Sequence, residues 1–372
     1  MGHMTPRRAW IAIVSLAALI LAAVLALASY LGGRARPRED YRGVDVWKID
    51  VHQEADPGAL LVAMKLGATQ GIRGVVNYSG GHVGDGLEDR VAEASRYPGR
   101  VAVLMELDLE GCCGGDWSGR EVVRMVQGRA IGALGLSVAR ARSPAARDGA
   151  LRRTPLDSPD LEPIWDMAWR LEIPVAFDAG PGSAAGPPAR EDGSAGNVAP
   201  AAPPEERRAV LDELTRVAER HPQLLLIGAR FAGCAADPAE AGRLLDRLPN
   251  LYLDTAGALP ELGADADETR AVILAHPDRV LFATGLRWLE GPQPDRKAVV
   301  LGAGRPARSV AEIRRFFEST WRFFETPDEA IPDPTPEGRA TLDGLGLPRD
   351  VLKKVYHGNA ERLFGFERPE AD

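Results

Sequence analysis

The residues of this sequence best suited to chemistry lie within and directly after its apolar segments. Asp50, His52 and Glu54 alternate along one such segment, so their side chains project to the same side of an extended strand. Asp178 ends a later apolar segment. One histidine and two carboxylates, supplied by His52, Glu54 and Asp178, form a ligand set that suits iron, manganese or weakly held zinc. The sequence therefore contains a candidate site for one divalent metal.

Arg230 ends another apolar segment and argues against a metal at this site. A guanidinium is always charged, and it repels a dication placed beside it. It can instead donate two parallel hydrogen bonds to Glu54 or Asp178 and neutralise the pocket. We therefore expect Arg230 to stand in the metal's place in a pocket without a cofactor. One bound divalent metal (zinc, iron or manganese) is the alternative.

Other polar residues are weaker candidates. Asp50 and Asp254 lie near the ends of apolar segments, and we interpret them as structural partners behind the site residues. Cys112 and Cys113 follow the third apolar segment, and Cys234 follows the sixth. A nucleophilic cysteine with His52 as its base is one interpretation. A disulfide from Cys234 to one of the adjacent pair is favoured if the domain is exported.

The apolar segments themselves predict the fold. Eight short apolar runs alternate with amphipathic stretches of helical periodicity, which indicates a parallel sheet buried on both faces. Eight such units form a (β/α)8 TIM barrel, preceded here by one N-terminal transmembrane helix. A doubly wound open sheet is the alternative, but no glycine-rich phosphate loop follows the first strand. The predicted strands are Val46–His52, Gly74–Ser79, Val101–Asp108, Ala133–Ala139, Pro174–Ala179, Leu224–Ala229, Leu251–Ala256 and Val280–Thr284.

The N-terminal segment predicts a membrane anchor. Residues 9–30 are apolar without an internal charge, and about 20 apolar residues cross a bilayer as a helix. We expect a short tail over 1–8, this helix, a linker over 31–43 and a barrel over 44–368. A short tail before a large domain favours an extracytoplasmic barrel. Export after cleavage of a signal peptide is the alternative.

The charge of the chain argues against nucleic acid as a partner. The formal net charge is -8, so no basic surface attracts nucleic acid.

Two stretches of the chain lack the periodicity of a helix or a strand. The stretches 180–204 and 291–308 are rich in small residues and proline, and we interpret them as flexible insertions.

Several short motifs, in order, resemble the amidohydrolase-related metallohydrolases, a family that also contains decarboxylases of small aromatic acids. Each motif alone is weak, but their order and spacing together are specific. They span about residues 45–366 and coincide with the predicted strands. The motifs are Ile49–His52, Gly71–Gly81, Glu172–Val175, His221-Pro222, Ile227–Ala229, Asn250–Asp254, Arg279–Phe282 and Tyr356–Leu363.

The resemblance implies a metal site that this chain has largely lost. In the family, an H-x-H pair after the first strand, histidines ending the fifth and sixth strands and an aspartate ending the eighth hold one divalent metal. His52 matches the first histidine. The other four positions are occupied by Glu54, Asp178, Arg230 and Gly285. Gly285 therefore replaces the residue that handles the proton of the attacking water.

These observations lead to three functional hypotheses. The first is a non-catalytic or weakly active relative that binds a small anion or a partner at the barrel mouth, the end where the strands finish. The second is an active hydrolase or decarboxylase with a remodelled site of His52, Glu54 and Asp178. The third is a structural module of a membrane complex.

Overall fold

A computed structural model gives the fold of the chain. It describes residues 41, 43–56, 58–109, 112–139, 154–178, 204–290, 297–301, 307, 309–334 and 341–367. The predicted membrane segment 9–30, the linker up to residue 40 and most of the stretches 180–204 and 291–308 lie outside these residues. Among the described residues, no helix has both the length and the apolarity needed to span a bilayer.

The core of the structure is one curled ten-stranded sheet. The first eight strands follow one another in chain order, and each pairs in parallel with the next. All eight fall on the predicted apolar segments. They are β1 (Lys48–Ala55), β2 (Ile72–Asn77), β3 (Val101–Glu106), β4 (Gly135–Ala139), β5 (Val175–Asp178), β6 (Leu226–Gly228), β7 (Leu251–Asp254) and β8 (Val280–Leu281).

The chain after β8 joins the two ends of this strand series. Val51 donates a backbone hydrogen bond of 3.0 Å to Phe282, and Gly285 donates one of 3.0 Å to His52. The strand β9 (Leu286–Glu290) then pairs in parallel with β1, and β10 (Lys297–Val300) pairs antiparallel with β9. The sequence did not predict these two strands. They lie at the mouth, and they add a hairpin beside the end of β1.

Helices follow most strands, as the periodicity predicts. One of them begins as its sequence indicates, because the Asp237 side chain accepts from the Glu240 amide at 3.1 Å and Pro238 occupies the first turn. The helices are α1 (Leu60–Ala68), α2 (Leu87–Ala94), α3 (Trp117–Ile131), α4 (Glu162–Arg170), α5 (Pro204–Arg220), α6 (Pro238–Arg247), α7 (Leu259–Ala264), α8 (Ala266–Ala275), α9 (Val310–Glu325), α10 (Arg349–Lys353) and α11 (Asn359–Phe364). A two-stranded ribbon pairs β11 (Ile331–Pro332) with β12 (Thr341–Leu342).

The C-terminal segment packs on the end of the sheet opposite the mouth, where the strands begin. Asn359 is fully buried, and its amide donates to the backbone oxygens of Pro277 and Val280 at 2.9 and 2.7 Å. Phe366 packs on the bare backbone of Gly74, where an added Cβ would lie 2.9 Å from the ring. The predicted closing helices are therefore part of the hydrophobic core and position β8 for the site above it.

A buried lysine holds the lower end of β1. The ammonium of Lys48 lies 4.5 Å from the ring centroid of Trp321 and 4.8 Å from that of Tyr356. It donates to the Val46 carbonyl at 2.9 Å and lies 3.8 Å from the buried carboxylate of Glu325. Burial lowers the pKa of Lys48 to about 8, and the charge of Glu325 only partly offsets it. The charged form is therefore less favourable in the folded protein than in the unfolded chain.

This shift predicts a stability that rises with pH. Above pH 8 the folded protein loses the Lys48 proton before the unfolded chain does, whose ordinary value is 10.5. The unfolded chain then binds more protons, so the free energy of unfolding increases. From about pH 7 to about pH 9.5, the parent should gain about 2 kcal/mol relative to Lys48→Met, at about 1.4 kcal/mol per pKa unit. Denaturant melts measure this difference.

The exposed Lys65 of α1 provides the matched control. The difference in free energy of unfolding between the parent and Lys65→Met should stay constant over this pH range. A Lys48→Met curve parallel to that of the parent over the same range would contradict the buried, shifted lysine.

Candidate functional site

His52, the one family ligand that is kept, is bound within the protein. It lies on β1 and is only 1% exposed. Its Nδ1 atom is 2.9 Å from Oδ2 of Asp254, the last residue of β7. The ring of Tyr78 stacks on the imidazole, with centroids 3.8 Å apart, and its hydroxyl donates to the same Asp254 oxygen at 3.3 Å. The strands β1 and β7 and the residue directly after β2 thus contribute to one buried cluster of histidine, carboxylate and tyrosine.

Asp254 is the centre of this cluster. Its Oδ1 atom accepts backbone hydrogen bonds from Arg230 at 2.8 Å and from Ala256 at 3.0 Å. Burial, the largest effect, would raise the pKa of Asp254. The charge and hydrogen bond of His52 and the two amides together outweigh it, so the pKa lies below its usual value. Asp254 is therefore an ionised, fully buried carboxylate that holds β1, β2 and the chain after β6.

The backbone after β6 has a left-handed conformation that delivers the Arg230 amide. Arg230, Phe231 and Ala232 have φ values of 54°, 58° and 53°, and Gly233 follows with 74°. Each L-residue in this region costs roughly 1–2 kcal/mol. Successive residues in this conformation are found where surrounding contacts enforce them, often at functional sites. Here the Asp254 carboxylate binds the first amide of the turn, and the Phe231 and Ala232 side chains are buried.

The Arg230 side chain runs along the loop after β7. Its Nη1 atom lies 2.6 Å from the position that a Cβ of residue 257 would occupy, so the guanidinium packs against the bare backbone of Gly257. Glu54 has another partner. The Nε atom of Arg287, on β9, lies 3.6 Å from the Glu54 carboxylate, and the two residues are paired in the sheet register. The sequence predicts Glu54 or Asp178 as the partner of Arg230. Glu54 instead lies beside Arg287, which β9 supplies, and the Asp178 side chain lies outside the described residues.

Gly285 has neither a ligand nor room for one. Its φ of 70° is a conformation that residues with a Cβ rarely adopt. A Cβ there would lie 3.0 Å from the Gly257 amide nitrogen and 3.3 Å from Cβ of Ala256. The loops after β7 and β8 therefore touch backbone to backbone at the position where the family carries its aspartate.

Asp50 forms a second buried network beneath the first. Its carboxylate accepts from the Thr284 amide at 2.9 Å, from the Thr284 hydroxyl and from the Gln53 amide at 2.7 Å. Gln53 in turn accepts from the Trp288 indole at 2.9 Å. Burial raises the pKa of Asp50, and these hydrogen bonds offset it only in part. The network fixes β1 against the chain after β8, which agrees with a supporting role.

The structure shows the surroundings of three further residues at the family's ligand positions. Nδ1 of His52 is used by Asp254, Glu54 faces Arg287, and Gly285 offers no donor. Asp178 ends β5, and its side chain lies outside the described part of the structure. Among the described residues, no group of three or more histidine, cysteine, aspartate or glutamate side chains can hold a metal ion.

The cysteines differ from expectation. Cys112 and Cys113 are bonded to each other, and Cys234 is a free thiol buried after the left-handed turn. The expected disulfide from Cys234 to one of the pair is therefore wrong, because the two adjacent cysteines bond to each other. Burial also raises the pKa of Cys234 to about 12, which opposes a nucleophilic role at neutral pH.

A small apolar pocket opens beside the loop that contains Gly257. The loops after β7 and β8 and the helix α9 line it with Gly257, Thr284, Phe316 and Thr320. The Arg230 guanidinium packs against Gly257, so a positive group lies next to the apolar wall of this pocket at the mouth.

Comparison with known proteins identifies the family. The model of the family described as "Amidohydrolase" matches residues 62–366. The chain belongs to the amidohydrolase family. No curated protein sequence matches it.

Solved structures of amidohydrolase-like barrels share the fold at low identity. An uncharacterised TIM-barrel protein from Bordetella bronchiseptica is 16% identical with a TM-score of 0.52, covering 86% of this chain and 99% of that one. The 2,6-dihydroxybenzoate decarboxylase from Rhizobium is 14% identical with a TM-score of 0.51 and the same coverage. A dihydroxybenzoic acid decarboxylase from Polaromonas, with bound manganese and 2-nitroresorcinol, is 14% identical with a TM-score of 0.51, covering 87% and 98%.

The sequence interpretation missed Tyr78 and Arg287, which bind two of the predicted site residues. Tyr78 directly follows β2 and so faces the mouth, which is a usable signal. Arg287 gave no signal, because β9 was not predicted.

The close contact between the loops after β7 and β8 predicts that alanine destabilises the protein more at Gly285 than at a glycine with open space around it. Gly84 has a φ of 83° with no atom within 4 Å of an added Cβ, so Gly84→Ala measures the conformational cost alone. That cost is about 1–2 kcal/mol. Gly285 has a similar φ of 70°, and a Cβ there would also lie 3.0 Å from the Gly257 amide nitrogen. Gly285→Ala should therefore lower the free energy of unfolding further. Denaturant melts of both variants measure the difference. Equal losses would contradict the close approach of the two loops.

Proposed function

We propose that this amidohydrolase-family chain binds a small organic anion at its mouth and does not perform the family's metal-dependent chemistry. The observation that carries the proposal is the position of Arg230. Its amide is held by Asp254, and its guanidinium lies along Gly257, at the strand end where the family carries a histidine ligand. A fixed cation at that position favours a carboxylate over a divalent metal.

The surroundings of Arg230 support an anion with an apolar body. The pocket that shares Gly257 is lined by Leu259, Pro260 and Phe316, so an apolar wall lies beside the guanidinium and would contact the body of a bound anion. A carboxylate bound at the guanidinium forms charge-assisted hydrogen bonds, which are stronger than neutral ones. The hydrogen bonds from the chain after β8 to β1 support a closed (β/α)8 barrel around this mouth.

One observation favours the alternative, an active metal-dependent hydrolase or decarboxylase that uses His52, Glu54 and Asp178. Histidines that bind metals commonly donate their other ring nitrogen to a carboxylate, and His52 has this arrangement with Asp254. The pair between Glu54 and Arg287 opposes this alternative, because Glu54 would have to give up the Arg287 guanidinium to bind a metal ion.

The anion proposal is tested with a charged ligand and its neutral analogue. Benzoate and benzamide share an aromatic body but differ in charge, so benzoate should raise the melting temperature and benzamide should not. A ligand at about one hundred times its Kd stabilises by about 2.7 kcal/mol. Arg230→Gln should abolish the shift because it removes the charge. Arg349→Gln, on a remote arginine that binds the Asp45 carbonyl, should preserve it.

Elemental analysis of the same preparations distinguishes the alternative. After incubation with zinc or manganese and dialysis, the parent protein should contain far less than one metal per chain. A stoichiometric metal that is lost in His52→Ala would refute the proposal and establish the remodelled metal site.

We also propose that residues 9–30 form a retained membrane helix that places the barrel outside the cytoplasm. The support is the apolar length of the segment, which contains no charge, and the short tail that precedes the large domain.

Fractionation of cells that express the full chain tests the anchor. The protein should pellet with membranes, resist carbonate extraction and be digested by protease added to the outer side. A soluble mature form beginning near Ser29 would show a cleaved signal instead. Stable co-purification with one other chain after detergent extraction would favour the structural-module hypothesis.

A further inference from the structure

The loop between β3 and α3 carries a disulfide between adjacent residues. Cys112 and Cys113 are bonded to each other. Cys113 is exposed and Cys112 is half-buried. The site described above does not use this pair, and Cys234, the third cysteine of the chain, is only 4% exposed.

A disulfide between neighbours has little value as a cross-link. The stabilisation by a disulfide grows with the length of chain that it closes, and here that length is the shortest possible. The backbone is also unfavourable, because Cys113 has a φ of 72°, a conformation rare for residues with a Cβ. The pair therefore costs conformational energy without stabilising the fold, which favours a chemical role over a structural one.

The surroundings leave the outer sulfur accessible while fixing the loop on both sides. Cys113 is exposed, its sulfur lies 4.0 Å from the Thr154 hydroxyl, and an added Cβ at Gly114 or Gly115 would meet no atom within 4 Å. The Trp117 indole donates to the Asp108 carbonyl at 2.9 Å, and Arg124 donates to the Asp108 carboxylate at 2.8 Å. An incoming thiol can therefore reach Cys113 without displacing β3 or α3.

We propose that the Cys112–Cys113 pair is a thiol-exchange site that an external dithiol reductant opens and an oxidant of the disulfide class closes. A thiolate of the reductant attacks Sγ of Cys113 and forms a mixed disulfide. The bond to Cys112 breaks, and its sulfur leaves as a thiolate that takes a proton. The second thiol of the reductant then resolves the mixed disulfide, which releases the Cys113 thiol and the oxidised reductant.

The opened form is a pair of neighbouring thiols that can bind a thiophilic trivalent arsenical through both sulfurs. The closed form offers no thiolate and binds none. Opening also removes the covalent link that accompanies the left-handed backbone at Cys113, so the loop beside Asp108 gains conformational freedom.

Thiol labelling of the folded, full-length protein tests the proposal. Without reductant, iodoacetamide should label neither Cys112 nor Cys113. After treatment with dithiothreitol it should label both, while Cys234 stays unlabelled until the protein is unfolded. Phenylarsine oxide should bind one equivalent to the reduced form and none to the oxidised form.

Three serine variants control the experiment. Cys112→Ser and Cys113→Ser should each leave one thiol that reacts with iodoacetamide without reductant but does not retain phenylarsine oxide. Cys234→Ser should behave as the parent does. Labelling of both adjacent cysteines without reductant, resistance of the native pair to dithiothreitol, or arsenical binding in either single variant would each overturn the proposal. Circular dichroism checks that each variant is folded.

Discussion

The carboxylate of Asp254 holds together the upper part of the sheet. It binds the imidazole on β1, the phenol that follows β2 and two amides in separate loops. A buried carboxylate is tolerated only when its oxygens are satisfied, and here every partner comes from a different part of the chain. The arrangement therefore depends on the register of β1 against β2 and of β6 against β7. The left-handed turn, the position of Arg230 and the orientation of His52 all follow from this one ion.

The fold was largely predictable because buried parallel strands are continuous apolar runs. The eight predicted segments coincide with β1 to β8, and the boundaries differ by a few residues where polar residues extend or shorten the ladder. The strands β9 and β10 were not predictable from the same signal. β10 falls in a stretch rich in glycine and proline, and these strands form because β9 pairs with the end of β1 and β10 pairs with β9.

The site was predictable in its positions but not in its contacts. Order along the chain identifies His52, Glu54, Arg230 and Gly285 as residues at strand ends, because strand ends of a parallel sheet meet at one edge. It does not reveal which charges meet. Arg287 reaches Glu54 only because β9 pairs with β1. The disulfide of Cys112 and Cys113 depends on a local turn, and long-range reasoning from Cys234 gave the wrong pairing.

The closing segment has a consequence for biosynthesis. Phe364 and Phe366 belong to the same hydrophobic cluster as Ile49 and Val51 of the first strand. More than 300 residues separate these two parts of the core. At roughly 5–20 residues per second, the ribosome needs about 15–60 s to cover that distance. Throughout this interval the apolar residues of β1 lack Phe364 and Phe366, which pack in the same cluster in the folded protein. The protein is therefore expected to complete this part of its core only after residue 366 has left the ribosome, and chaperones have a long window in which to act on the nascent chain.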